Sequence, residues 1–301
     1  MSRRLKVQHK TSYRYSLPVG FGPHRMMFRP RDSHDMRLIS TKLIIHPKPQ
    51  VVQWSFDVFG NSVATAHFGD TLAPELTFES EIDLIHYQHP DVARHIAGYA
   101  AFYPFSYLQE DLPDLQSTIA RHRTDPDGVV AKWASQFLVS NTQISTIELL
   151  KALMEGTRSQ IMYRSRASHG TQDPATTLQL GTGTCRDYAL LMMEAVRSLG
   201  FAARFVTGYI YNNAVPKSIG GGATHAWVQI FVPDAGWIEF DPTNGIVGNQ
   251  GLIRVAVTRD PAQASPLSGT FRGDGARFLG MDVSVHVSQT DAHVVRSVPA
   301  A

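Results

Sequence analysis

The chain has 301 residues, 43% of them hydrophobic and 18% charged, enough to bury one large core or two moderate ones. Its 28 Lys and Arg against 26 Asp and Glu leave a net charge of +2, and basic residues gather only in pairs such as Arg3-Arg4, too few for a nucleic-acid footprint. One cysteine excludes a disulfide framework, and no apolar stretch approaches the ~20 residues of a membrane-spanning helix.

The amino terminus, MSRRLKVQHKTSYRY, is basic but has no apolar run behind it, so it does not read as a secretory signal. A cytoplasmic location is expected, with no membrane or nucleic-acid partner. Residues 3–88 are rich in β-branched and aromatic residues broken by turn formers such as Pro18-Val19-Gly20 and Gly60-Asn61, a pattern that predicts an antiparallel β-sandwich or barrel. From 91 to 165 the breaks thin out and apolar residues recur at helical spacing, as in Val130, Trp133, Ala134, Phe137 and Leu138. The segment 185–199, CRDYALLMMEAVRSL, places Ala189, Met192, Met193, Val196 and Leu199 on one helical stripe, with Gly200 as the stop. Strands follow in FAARFVTGYIY, AWVQIFV and GWIEFDPT. A late alternating run, MDVSVHV, predicts one more strand that returns to the first domain. The division expected is a β domain at 1–90, a helical connection at 91–150, a catalytic core at 151–260 and a C-terminal segment at 261–301.

Cys185 follows Gly181-Thr182-Gly183-Thr184 and opens its predicted helix, where unpaired N–H groups and the helix dipole favour the thiolate, the nucleophilic form. Taken alone a free cysteine reads first as a small buried hydrophobe, and the glycine-flanked helix start brings the two readings level. His225 begins one strand and Asp241 ends the next. A histidine beside the thiol takes its proton, and a carboxylate on the far ring nitrogen fixes the imidazole's tautomer. Taken singly, His225 reads as an edge-strand residue and Asp241 as an Asp-Pro turn initiator. The hairpin register decides between these readings. A four-residue turn at Pro233 to Gly236 puts His225 and Asp241 on opposite faces, whereas a three- or five-residue loop or a bulge makes them diagonal neighbours on one face.

These segments resemble the bacterial transglutaminase-like proteins, often described as candidate cysteine proteases. The motifs are GTGTCRDYALLM, RFVTGYIY and THAWVQIFVPDAGWIEFDPTNG, with a looser match of VQHKTSYRYSLPVGFGPHRMMFRPR and FDVFGNSVATAHF to that family's amino-terminal β domain. The resemblance implies an α+β fold. Its core is papain-like, a nucleophile helix packed on a small antiparallel sheet, behind an N-terminal β-sandwich-like domain. It also implies a catalytic triad of Cys185, His225 and Asp241 that attacks an amide in a peptide or protein and passes through a thioester to water or an amine. Neither cofactor nor metal is expected, since Cys185 and His225 lack further ligands at zinc-like spacing. The oxyanion needs two donors. The Cys185 N–H is one, and Gln179 or Tyr209 is the candidate for the second. The insertion YNNAVPKSIGGGA before Thr224 departs from the family pattern and would shape the cleft rim. Asp187 is expected to be structural, favoured by the dipole, and Trp227 and Trp237 to pack the core. The alternative to an enzyme is an interaction module that keeps the fold for binding.

Overall fold

The computed structural model describes residues 2–88, 95–138, 143–166, 170–211 and 223–290. The N-terminal strands are β1 (Ser2–Phe21), β2 (His24–Met26), β3 (Met36–His46), β4 (Val51–Phe56), β5 (Ser62–His67) and β6 (Leu72–Tyr87). They form two antiparallel sheets, one around β1, β6 and β3 and one around β2, β5 and β4. Alternation puts Tyr15, Phe21, Phe78, Ala64 and Ala66 of the two sheets into one shared core with Phe68, which makes this domain a β-sandwich.

Beyond it lie β7 (Phe102–Tyr103), α1 (Leu112–Ile119), α2 (Val129–Ser135), β8 (Ile144–Ser145), α3 (Thr146–Gln160), β9 (Met162–Tyr163), α4 (Pro174–Leu180), β10 (Thr182–Gly183) and α5 (Cys185–Ser198). A second antiparallel sheet system follows: β11 (Ala203–Ile210), β12 (His225–Val232), β13 (Gly236–Asp241), β14 (Ile246–Val247) and β15 (Leu252–Thr258), in the order β14-β13-β12-β11-β15. Leu190, Leu191 and Val196 of α5 pack on one face of this sheet against Ala203, Phe205, Val228 and Ile230.

The expected single stripe on α5 understates its burial. Cys185 and every residue from Asp187 to Arg197 are buried, because the sheet covers one side while α2, α3 and α4 cover the others. That packing also corrects the expected division. α2 and α3 bury Trp133, Leu149, Leu150 and Leu153 in the same cluster as α5, so they belong to the core rather than to a connection at 91–150. The segment after 260 belongs to the sandwich: β16 (Leu267–Ser268) pairs with β2, and β17 (Phe271–Arg272) and β18 (Phe278–Gln289) pair with β1. No helix among the described residues is long and apolar enough to cross a membrane.

The charges on α5 are matched inside the core. Arg197 donates to Glu194 at 2.9 Å and to the carbonyls of Thr118, Ala203 and Arg259 at 2.8–2.9 Å, with both charged side chains fully buried. The pair therefore fastens the helix's last turn to β11, to the end of α1 and to the residue after β15.

Candidate active site

β9 and β10 run parallel, with Met162 beside Thr182 and Tyr163 beside Gly183, and this clamp delivers the chain to the start of α5. Gly183 is required there, since a Cβ at that position would lie 2.9 Å from the Asp187 side chain. Asp187 Oδ2 accepts from the N–H and the hydroxyl of Thr184, both at 2.8 Å. The same carboxylate accepts from Arg166 at 2.9 and 3.1 Å and from the Gln172 N–H at 2.6 Å. Burial alone would raise the Asp187 pKa, and these bonds outweigh it, so the carboxyl is held below its ordinary range. The structural role expected for Asp187 thus has a definite content: it ties the cysteine turn to the loop that forms the cavity's wall. Asp187→Ala is expected to cost about 2 kcal/mol through the lost cap and the lost ion pair with Arg166, measured by urea denaturation. A loss under about 0.5 kcal/mol would contradict this account.

The hairpin resolves the register question. Val232 pairs with Gly236 and Val228 with Phe240, leaving a three-residue turn, Pro233-Asp234-Ala235, with positive φ at Asp234 (63°) and Gly236 (71°). Of the turns weighed from sequence, this is one that sets His225 and Asp241 on one face. His225 Nε2 donates to Asp241 Oδ2 at 2.8 Å, and both side chains are fully buried.

Asp241 is satisfied elsewhere too. Its Oδ1 accepts from the N–H groups of Thr243 (2.9 Å) and Asn244 (3.3 Å), and its Oδ2 accepts from the Asn244 side chain at 2.8 Å. Burial would raise the Asp241 pKa, but the charge and hydrogen bond of His225, with the Asn244 and Thr243 donors, bring it down. For His225 burial works in the lowering direction and is overcome by Asp241 first and Cys185 second, so the imidazole is held protonated to higher pH than a free histidine.

With Nε2 committed to Asp241, Nδ1 is the nitrogen left for the thiol. It makes no hydrogen bond of good distance and angle, although Cys185 lies near enough to raise the histidine's pKa. The thiol contact is therefore long or misaligned, as in many free enzymes before substrate tightens the site. Cys185 and His225 open on the same cavity of about 250 Å³, walled also by Arg166, Thr184, Arg186 and Thr224.

Trp227 lies behind the imidazole, its ring centroid 5.9 Å away and inclined by 30°. Its indole N–H donates to Glu239, which also accepts from Gln229 and Arg254. Gly208, opposite His225 in the register, makes room for this arrangement, because a Cβ there would sit 2.1 Å from the Ile253 carbonyl and 2.8 Å from the Trp227 ring. The core-packing reading of Trp227 holds, with an orienting contact on the histidine added to it. Trp237 is half-buried beneath the Arg204 guanidinium, 4.0 Å from its ring centroid.

Two sequence candidates are corrected. Gln179 is exposed on α4 and is absent from the cavity wall, because the helix turns it to solvent. Tyr209 is buried against the β-sandwich, where its hydroxyl bonds His9 at 3.0 Å, so it too is absent from the cavity wall. The Cys185 N–H stays as a first-turn donor without a helical acceptor. Most of the YNNAVPKSIGGGA insertion, residues 212–222, lies outside the described residues. Sequence reading missed Asn244 and Arg166 as site residues. The DPTN turn carried a signal for Asn244, three residues after Asp241, whereas nothing near Arg166 in the chain announces its carboxylate partner 21 positions away.

Residues 132–242 match the model of the transglutaminase-like superfamily, and residues 5–84 match that of the bacterial transglutaminase-like N-terminal region. An uncharacterised protein of Mycobacterium tuberculosis is 29% identical over 300 residues, covering 95% of this chain and 93% of its own. A protein-glutamine gamma-glutamyltransferase of Pseudomonas aeruginosa is 35% identical over 66 residues, 21% of this chain and 10% of that protein. Among solved structures, a candidate cysteine protease from Cytophaga hutchinsonii superposes with a TM-score of 0.72 at 19% identity, covering 97% of this chain and 93% of that one, which shows a shared fold. The chain thus carries a transglutaminase-like core at 132–242 and a bacterial transglutaminase-like N-terminal domain at 5–84.

Proposed function

We propose that this protein is a cysteine-dependent acyl-transfer enzyme acting on amide bonds of a peptide or protein, with Cys185 as nucleophile, His225 as its proton partner and Asp241 as the group that orients the histidine. The observation that carries the reading is the 2.8 Å bond from His225 Nε2 to Asp241, which leaves Nδ1 for a thiol opening on the same cavity. In this scheme the Cys185 sulfur attacks the amide carbonyl carbon, and its proton resides on Nδ1. The C–N bond breaks as the imidazolium gives that proton to the leaving amine. Water or a second amine then attacks the thioester, loses its proton to His225 and releases the sulfur. The oxyanion is met by the Cys185 N–H at the positive end of α5. A thiol that must stay reduced to act favours a reducing compartment.

The test uses a glutamine-containing peptide with and without a primary amine donor. Wild type is expected to release ammonia or amine in both, with transfer product formed only in the second if the acceptor is an amine. Cys185→Ala is expected to abolish both. Activity retained in Cys185→Ala would refute the scheme, and so would a wild-type thiol that iodoacetamide modifies no faster than free cysteine below pH 7.

A further inference from the structure

A second cavity, of about 210 Å³, lies where the β-sandwich meets the core sheet, and three arginines face it: Arg31 from the loop after β2, Arg204 from β11 and Arg254 from β15. Arg254 is neutralised, bonding Glu239 and Asp35 together. The other two are not. Arg204 gives its Nε to the neutral Gln229 at 2.8 Å and lies over the Trp237 ring, and its terminal nitrogens have no acceptor among the described residues. Arg31 reaches only the Phe59 carbonyl, at 3.5 Å. The cavity's own carboxylate, Asp32, accepts from the Leu38 N–H and forms no ion pair with either arginine among the described residues. Three guanidinium groups and three carboxylates balance in charge, but Glu239 and Asp35 are both bonded to Arg254 and Asp32 pairs with neither of the others, so Arg31 and Arg204 have no bonded carboxylate among the described residues.

Arg204 is half-buried, and a partly desolvated guanidinium without a bonded carboxylate is less favourable than one in open water. Burial lowers the Arg204 pKa to about 10, opposed by Glu239 and reinforced by Arg254 and Arg31, so the neighbouring cations add to the cost. Arg204 is also held ready, since Gln229 and the Trp237 ring fix the plane of a fork whose geometry matches a two-oxygen anion.

We propose that this seam binds one small oxyanion, an inorganic phosphate or a free carboxylate, between the guanidinium groups of Arg31 and Arg204. Such a ligand touches both domains at once, and it adjoins the Gln229–Glu239–Trp227 chain that ends on His225. The site is separate from the thiol cavity and does not depend on the reaction proposed above.

Heat unfolding of the full chain at constant ionic strength tests it, with sodium phosphate and sodium acetate titrated in separate arms against sodium chloride. A saturable rise in Tm, of about 5 °C at a hundredfold excess over Kd, is expected with phosphate or acetate and not with chloride, and the arm that responds names the anion. Arg204→Gln and Arg31→Gln are each expected to weaken the response at least tenfold in apparent Kd. Arg31 is exposed on a loop, so Arg31→Gln keeps the test open if Arg204→Gln lowers stability. Equal Tm values in all three salts, or a wild-type response in Arg31→Gln, would overturn the proposal.

Discussion

Replacing His225 with alanine is expected to lower amide turnover by about 10³-fold or more, because a nucleophile, its base and the base's orienter act as a unit. The same variant should slow iodoacetamide alkylation of Cys185 below pH 7. Asp241→Asn separates charge from geometry. Asparagine can still accept from Nε2 but no longer stabilises an imidazolium, and Asp241 is the largest influence raising the His225 pKa. The imidazolium is then lost at lower pH, so the alkaline limb of the activity profile moves down. Stability should follow the same pair. The histidine's share, from a raised folded pKa, is complete below its unfolded value of ~6.5 and is lost as pH rises through the folded one. The aspartate's share, from a lowered folded pKa, is complete above ~3.9 and is lost as pH falls. The stability gap between wild type and Asp241→Asn is therefore widest from about pH 4 to 6.5 and shrinks on either side. A pH-independent gap, or unchanged turnover in His225→Ala, would remove His225 from the proposed role.

Arg197→Ala is expected to be the most destabilising single substitution proposed here, at about 3–5 kcal/mol in urea denaturation with an unchanged m-value. It strands the fully buried Glu194 carboxylate and leaves three carbonyls, of Thr118, Ala203 and Arg259, without their guanidinium donor. The remaining donors to Glu194 are weaker: the His122 and Arg123 N–H groups, each at 3.4 Å, and the Arg121 guanidinium at 3.6 Å. Because the helix that carries Cys185 at one end carries Arg197 at the other, alkylation of the folded fraction should change little, which distinguishes loss of stability from loss of the site. A cost under 1 kcal/mol would show that solvent enters and hydrates Glu194.

The strands, the nucleophile helix and its Gly200 stop, and the three residues of the proposed triad were legible in the sequence because each rests on a local pattern. Period-two alternation marks a strand, and a Gly-Thr-Gly-Thr-Cys start followed by apolar helical spacing marks a buried helix with a thiol at its N-terminus. Local pattern could not divide the chain. The return of a late strand to the first domain was legible, but only packing shows that α2 and α3 share the core with α5 and that β1 is the strand β18 pairs with, some 270 residues earlier. Nor could it choose among turn lengths at Pro233, where a shift of one residue moves a side chain to the other face. The wrong oxyanion candidates share that cause: Gln179 and Tyr209 are near Cys185 in the chain or the next strand, but helix phase and the docked sandwich turn them elsewhere. Residue type and local periodicity, both written along the chain, were enough to single out the three residues proposed to carry the chemistry. Tertiary structure alone decided that His225 and Asp241 share a face, that Asn244 and Trp227 brace them, and that Arg31 and Arg204 line one cavity, because contacts between distant segments depend on register and packing.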